Sequence, residues 1–349
     1  MAVISRYSAV NAKINAMFGR LLTAGDYDNL ASLKSVAEVE AALEARAEYR
    51  ELLRPGPEVH RGDLERRIVL SVYHNFARIY SFVGDQRLRR YLDGFFLKNE
   101  IRFIKGLLRS INDERDINYT AAEINAAIGM RPRLDLSATL AAKTLTEAID
   151  SLKGTVFYSL LKTGAEESDI SLFELETRLD IYYFIRLNKL RNKYLSGLDK
   201  KLAGEVNGIR VDMTNLMWIY RLKKYYNIEE KAMYAYLIPL RHRLGKEQIA
   251  RMVESHDMAG LMEEIGKTAY GKYFGAGRSH ERDMSAVLSG AYRRVRRANA
   301  DSVAGIIAYI HFKDIEIENI ISLIEGVRYG LGRDEILRFV VLPSEEKAV

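Results

Sequence analysis

The chain contains no cysteine, one tryptophan and only five prolines in 349 residues. Without thiols there is neither a disulfide frame nor a thiolate metal site, which suits a reducing compartment such as the cytoplasm. Few prolines leave long stretches uninterrupted, and three of the five, Pro55, Pro57 and Pro132, stand in evident loops. Long apolar runs are missing as well. The most apolar stretches, residues 303–310 and 233–240, fall far short of the roughly 20 residues that a membrane-crossing helix needs. The opening MAVISRYSAVNAKINAMF has no secretory apolar region followed by a small-residue cleavage site. Any membrane association is therefore expected to be peripheral.

What is present describes a globular protein, with 48% hydrophobic and 29% charged residues, enough apolar surface to bury real cores. The length suits two or three domains of about 100 to 150 residues each. Apolar residues recur at helical steps of three and four. Leu64, Ile68, Val72, Phe76, Ile79 and Val83 form one such face, ending at Gly84 with Asp85 placed to cap the next helix. Ile101, Ile104, Leu107, Leu108 and Ile111 form another, as do Leu216, Ile219, Tyr220 and Leu222, and Ile317, Ile320, Ile321 and Ile324. Sustained strand-type alternation is lacking, so the spacing predicts an all-α fold. Loops are expected near residues 54–58, 112–120, 129–137, 163–171, 203–210 and 275–280.

Three anchors recur in the same order about 110 residues apart. Tyr49, Glu65 and Asn99 form the first set, Tyr158, Glu176 and Asn215 the second, and Tyr270, Glu281 and Asn319 the third. The repeat predicts three homologous helical domains, residues 1–112, 113–228 and 229–349. Asparagine is a poor mid-helix residue by several tenths of a kcal/mol, so three at equivalent positions point to a polar contact. One reading is a buried hydrogen bond that fixes a helix crossing, for instance to the acidic helix of the same repeat (Glu65, Glu176, Glu281). The other is a contact with a partner. The 21 tyrosines suit interiors whose rings are apolar and whose hydroxyls find partners.

The net charge is +6 and unevenly spread. Arg278, Arg282, Arg293, Arg294, Arg296 and Arg297 crowd one stretch, and Asp314, Glu316, Glu318 and Glu325 the next. Such segregation fits either a charged docking face or a solvated helix face. Arg293, Arg294, Arg296 and Arg297 are the first candidates for binding a partner, and the amphipathic stretch ending at Arg109 is the second.

Catalytic readings find no support. The six histidines show neither an HExxH motif nor a pair four residues apart, so no metal site is expected. His256-Asp257 resembles a metal-binding dipeptide but lacks an upstream histidine set, and Ser255 and Asp257 read better as helix N-caps. Residues 271–279 mimic a phosphate loop, yet Arg278 stands where lysine is needed and no strand leads in, which makes the segment a turn. Glu263 and Glu264 are adjacent on a helix and point apart. The expectation is a protein that is not an enzyme and uses no cofactor.

Two clusters of residues resemble a known family. The start, Tyr7-Ser-Ala-Val-Asn-Ala-Lys13-Ile-Asn-Ala-Met17, continues through Leu21-Leu22, Asp26-Tyr27, Ser35-Val36 and Leu43 to Tyr49. The end has Ile306-Ile307-Ala-Tyr-Ile310, Glu316-Ile-Glu-Asn319-Ile, Glu325-Gly326-Val-Arg328-Tyr-Gly330-Leu331 and Glu335-Ile336. Both resemble the C subunit of bacterial and archaeal V-type (A-type) ATP synthases, a relative of the d subunit of vacuolar ATPases, and the likeness runs the whole length. Lys13 stands where the family often has arginine, which keeps the charge and loses the bidentate geometry.

The resemblance implies a funnel of three similar domains about a pseudo-threefold axis. It implies a non-catalytic rotor component on the cytoplasmic face of the membrane, joining the central-stalk subunits of D and F type to the proteolipid ring. No nucleic acid or small-molecule substrate is expected. The rival from another class is a helical-repeat nucleic-acid binder, which the sequence pI of about 9.2 and the tyrosines allow. Against it, the basic residues are interleaved with 47 acids.

Overall fold

Among the described residues of the computed structural model (7–50, 52–53, 63–113, 136–165, 171–226, 228–274, 280–299 and 301–343) the regular structure is helical, with no strand. In chain order the helices are α1 (Ser8–Phe18), α2 (Ala24–Ala31), α3 (Val36–Glu44), α4 (Asp63–Phe82), α5 (Gln86–Asn112), α6 (Leu136–Ala141), α7 (Leu145–Ser151) and α8 (Val156–Ala165). They continue as α9 (Leu172–Tyr194), α10 (Gly197–Arg221), α11 (Glu230–Met233), α12 (Lys246–Val253), α13 (Met258–Gly266), α14 (His280–Ala298), α15 (Ala304–Arg328) and α16 (Arg333–Phe339).

Local chemistry sets many of the starts. Thr23 and Asp26 form a reciprocal capping box on α2, satisfying two of the main-chain donors that a helix start leaves open. Ser35, Asp85, Thr144 and Asp257 each accept a main-chain N–H three residues on, opening α3, α5, α7 and α13. Ser255 donates to the Met252 carbonyl at the end of α12 instead of capping α13.

One expected loop is helix. Residues 203–210 lie inside α10, where Leu202, Ala203, Val206 and Ile209 bury one face. Two glycines of the segment leave room for side chains lying across the helix: a Cβ on Gly204 would come within 2.8 Å of an Arg191 guanidinium nitrogen, and one on Gly208 within 2.5 Å of the His242 ring. The other expected loops fall wholly or partly outside the described residues.

The chain divides into two compact units, one built from residues 1–84 and 289–349 and the other from 85–288. In the first, α15 is the axis: it packs against α1, α2, α3, α4 and α16, and every residue from Ala304 to Ile310 is buried. Its core joins Tyr27, Val39, Leu43 and Tyr49 from early in the chain to Ile317, Ile320, Leu323 and Ile324. In the second unit α9 packs on α5, α8 and α10, and α12 packs on α13. One relation recurs three times. The short capped helices α3, α7 and α13 pack on the long helices α15, α5 and α10 respectively.

Candidate functional site

In the 85–288 unit, α10 presents Asp212 and Asn215, one turn apart and both fully buried. The Asp212 carboxylate accepts the main-chain N–H groups of His242 (3.0 Å), Arg243 (2.7 Å) and Leu244 (3.3 Å) and the Tyr270 hydroxyl (2.8 Å). Asn215 grips an extended segment: its Nδ2 donates to the Ile238 carbonyl at 3.1 Å, and the Ile238 N–H donates to its Oδ1 at 2.9 Å. The side chain thus satisfies both main-chain groups of a residue outside regular structure, where an unpaired group is costly.

The other unit repeats the arrangement. On α15, Glu316 accepts the Leu22 N–H and the Tyr49 hydroxyl (2.6 Å), and Asn319 exchanges hydrogen bonds of 2.9 and 2.8 Å with the main chain of Val341. Leu22 directly precedes the N-cap of α2, as Leu244 directly precedes that of α12. Tyr49 follows α3 as Tyr270 follows α13. The difference is Lys313, a buried ammonium that donates to Glu316 at 2.7 Å and to the Tyr49 hydroxyl at 3.0 Å and lies 4.0 Å from Glu48.

Burial, then the facing carboxylate (Glu316 for Tyr49, Asp212 for Tyr270), push both phenols far above the usual tyrosine range. The hydroxyls therefore stay protonated and donate. Tyr27 and Tyr309 are raised too, by burial first and then by Glu316 and Glu48 respectively.

Asn99 is buried on α5, but Phe96 stands where α10 and α15 carry their acid. Tyr158 is half-buried, with the ammonium groups of Lys153 and Lys162 over its ring.

The expected contact between asparagine and the acidic helix of its own repeat is not what forms. Glu176 holds Lys105 at 3.7 Å and accepts from both Nε and Nη2 of Arg109. Glu65 holds Arg328. Asn215 and Asn319 bond main chain instead, because a carboxamide matches the donor and acceptor of one peptide residue, whereas carboxylates pair more strongly with arginine. The Glu281 side chain lies outside the described residues.

Of the basic candidates, Arg109 is engaged with Glu176, whose hydrogen bond raises the guanidinium's pKa. Arg294 and Arg297 are exposed and Arg293 and Arg296 half-buried on α14. The latter two border a cleft of about 630 Å³ in which Arg296 stacks on Phe18 at 3.6 Å and donates to Asn15 at 3.3 Å, while Arg293 lies over Phe312 at 5.2 Å. Asp257 caps α13 through Gly260 at 2.8 Å. Glu263 and Glu264 both pair with Lys267, and Glu264 also with Arg251. Among the described residues there is no cluster of potential metal ligands, and no helix is long and apolar enough to cross a membrane.

Sequence reasoning missed Asp212 and Leu244. The signal was available: an acid three residues before the anchor asparagine on α10 and α15.

Buried polar fasteners on long helices define, among the described residues, an all-helical protein. The sequence profile described as ATP synthase (C/AC39) subunit matches residues 10–339, and the chain belongs to that family. It is similar to the C subunit of the A-type ATP synthase of Thermococcus kodakarensis, at 25% identity over 346 residues covering 96% of this chain and 90% of the relative. The protein of the same name from Pyrococcus abyssi is 24% identical over 354 residues, with 96% and 90% covered. That of Methanosphaera stadtmanae is 23% identical over 339 residues, with 90% and 82% covered.

Proposed function

We propose that this chain is the non-catalytic coupling element of a V/A-type rotary ATPase, a socket on the cytoplasmic face that joins central-stalk subunits of D and F type to the membrane proteolipid ring. The observation that carries the reading is the packing of α3, α7 and α13 on α15, α5 and α10. In terms of the repeats 1–112, 113–228 and 229–349, each repeat lays its early helix on the last long helix of another. That interlock supports a pseudo-threefold funnel of homologous domains, and a torque-bearing part gains from domains that share their fasteners.

The load is large. Each charge crossing the membrane releases about 2.3 kcal/mol per 100 mV, and several such steps accumulate before one ATP is made. Stalk binding of about 10 kcal/mol, a dissociation constant in the tens of nanomolar, spread over more than about 1,000 Å², resists slipping. The exposed Arg294 and Arg297, with Arg293 and Arg296 beside the aromatic cleft, are the basic part proposed to meet the partner.

The test uses the purified chain as bait for solubilised membranes. Recovery of stalk and proteolipid subunits, identified by mass spectrometry, is expected. Recovery of neither, together with steeply salt-dependent retention of single-stranded nucleic acid, would overturn this reading in favour of a helical-repeat nucleic-acid binder.

A further inference from the structure

The strongest unassigned feature is a cleft of about 830 Å³ in the 85–288 unit, where the end of α9 turns into α10 beside residues 240–243. Its lining includes Arg191, Lys200, Lys201, Arg241 and Arg243, five permanent cations, with His242 among them and a single carboxylate, Glu205. Glu205 is 3.5 Å from Arg243. No ion pair involves Arg191, Lys200, Lys201 or Arg241 among the described residues. The volume lies within the range of small-ligand pockets.

Three further observations mark the cleft as built. Arg191 lies along α10 over Gly204, where a Cβ would meet its Nη1 at 2.8 Å, and His242 lies over Gly208. These glycines cost helix stability relative to alanine, and they seat the Arg191 and His242 side chains against α10. The Arg191 Nε is buried without a hydrogen-bond partner among the described residues, and burial, opposed by Tyr91, depresses the guanidinium's pKa. Finally, α10 begins at the rim, at Gly197, and the side chain of its N-cap Ser196 makes no capping bond. The start of this 25-residue helix brings its N-terminal partial positive charge to the rim, with Asp199 as the acid of the first turn.

We propose that this cleft binds a phosphate-bearing polyanion, with Arg191, Lys200 and Lys201 as its principal contacts and Arg241 and Arg243 closing the far side. Crowded like charges repel, and a multivalent anion relieves that repulsion while supplying acceptors for the guanidinium and ammonium donors. The same chemistry is offered by a free polyphosphate and by an anionic phospholipid headgroup. The site does not depend on the coupling role above.

The experiment titrates the full chain calorimetrically with inorganic tripolyphosphate and, separately, with phosphatidylglycerol vesicles, using phosphatidylcholine vesicles as control. Saturable binding to tripolyphosphate is expected, weakened about tenfold or more in Arg191→Gln and in Lys200→Gln/Lys201→Gln, and unchanged in Arg338→Gln, at an exposed arginine on α16. Lys200 and Lys201 are exposed, so the double variant keeps the test informative if Arg191→Gln misfolds. Binding to the anionic vesicles alone, lost in the same variants, supports the site with a lipid headgroup as its source. Binding to neither probe, or binding that these variants leave undiminished, overturns it.

Discussion

Asn215 and Asn319 each hold one main-chain residue by both its donor and its acceptor, so removing the carboxamide orphans two groups at once. Asn215→Ala is expected to cost about 2–4 kcal/mol in urea unfolding, and Asn319→Ala, at a less buried site, about 1–3 kcal/mol. Asn215→Asp keeps an acceptor but loses the donor to Ile238 and adds a buried charge, so it does not rescue. Lys313 is a harder case. Its replacement by methionine leaves the buried Glu316 without its cation, while Glu48 keeps only Arg20 at 3.9 Å, and is expected to cost about 3–5 kcal/mol. Adding Glu316→Gln then costs less than its own single-variant effect, because the two share one network.

The four buried phenols of Tyr27, Tyr49, Tyr270 and Tyr309 have raised pKa values in the fold. Their contribution is therefore complete below the ordinary tyrosine value of about 10 and is lost as pH rises toward the folded values. The expected result is a late step in phenolate absorbance that coincides with loss of helical circular dichroism. Gradual ionisation of every tyrosine with helicity retained would contradict it.

At the scale of elements, ion pairs join long helices: Arg328 to Glu65 between α15 and α4, and Arg109 to Glu176, beside Lys105 to Asp180, between α5 and α9. The first pair is mostly buried, with both side chains under 20% exposed, whereas Arg109 is 57% exposed. Solvent screens the second. Double-mutant cycles with glutamine are expected to give a coupling below about 1 kcal/mol for Arg109–Glu176 and a clearly larger one for Arg328–Glu65. Gly204 and Gly208 belong to this scale as well. A glycine pair usually marks a loop, but here four buried apolar residues on the opposite face keep α10 continuous while the glycines admit Arg191 and His242.

For the whole molecule, the decisive fact is that one unit contains both early and late residues of the chain. Glu316 receives Leu22 and Tyr49 across sequence separations of 294 and 267 residues. Glu316→Ala is therefore expected to raise amide exchange in α2 and α3 as much as in α15, while Asp212→Ala raises it around residues 238–244 and 270. Exchange confined to α15 in the first variant would show that the early helices hold without this fastener.

The helical class and the caps at Asp85 and Asp257 were legible in the order of residues, because apolar period and capping act over a few neighbours, and the recurring asparagines pointed to a polar contact without naming its partner. The main-chain partners of Asp212 and Glu316 at Leu244 and Leu22, the seat of Arg191 on Gly204 and the gathering of five cations into one cleft were decided by tertiary structure alone. A carboxylate or a guanidinium reads the same in sequence whether it faces water or a main-chain amide. What it meets depends on segments tens to hundreds of residues away, which only the packed core brings within hydrogen-bonding distance.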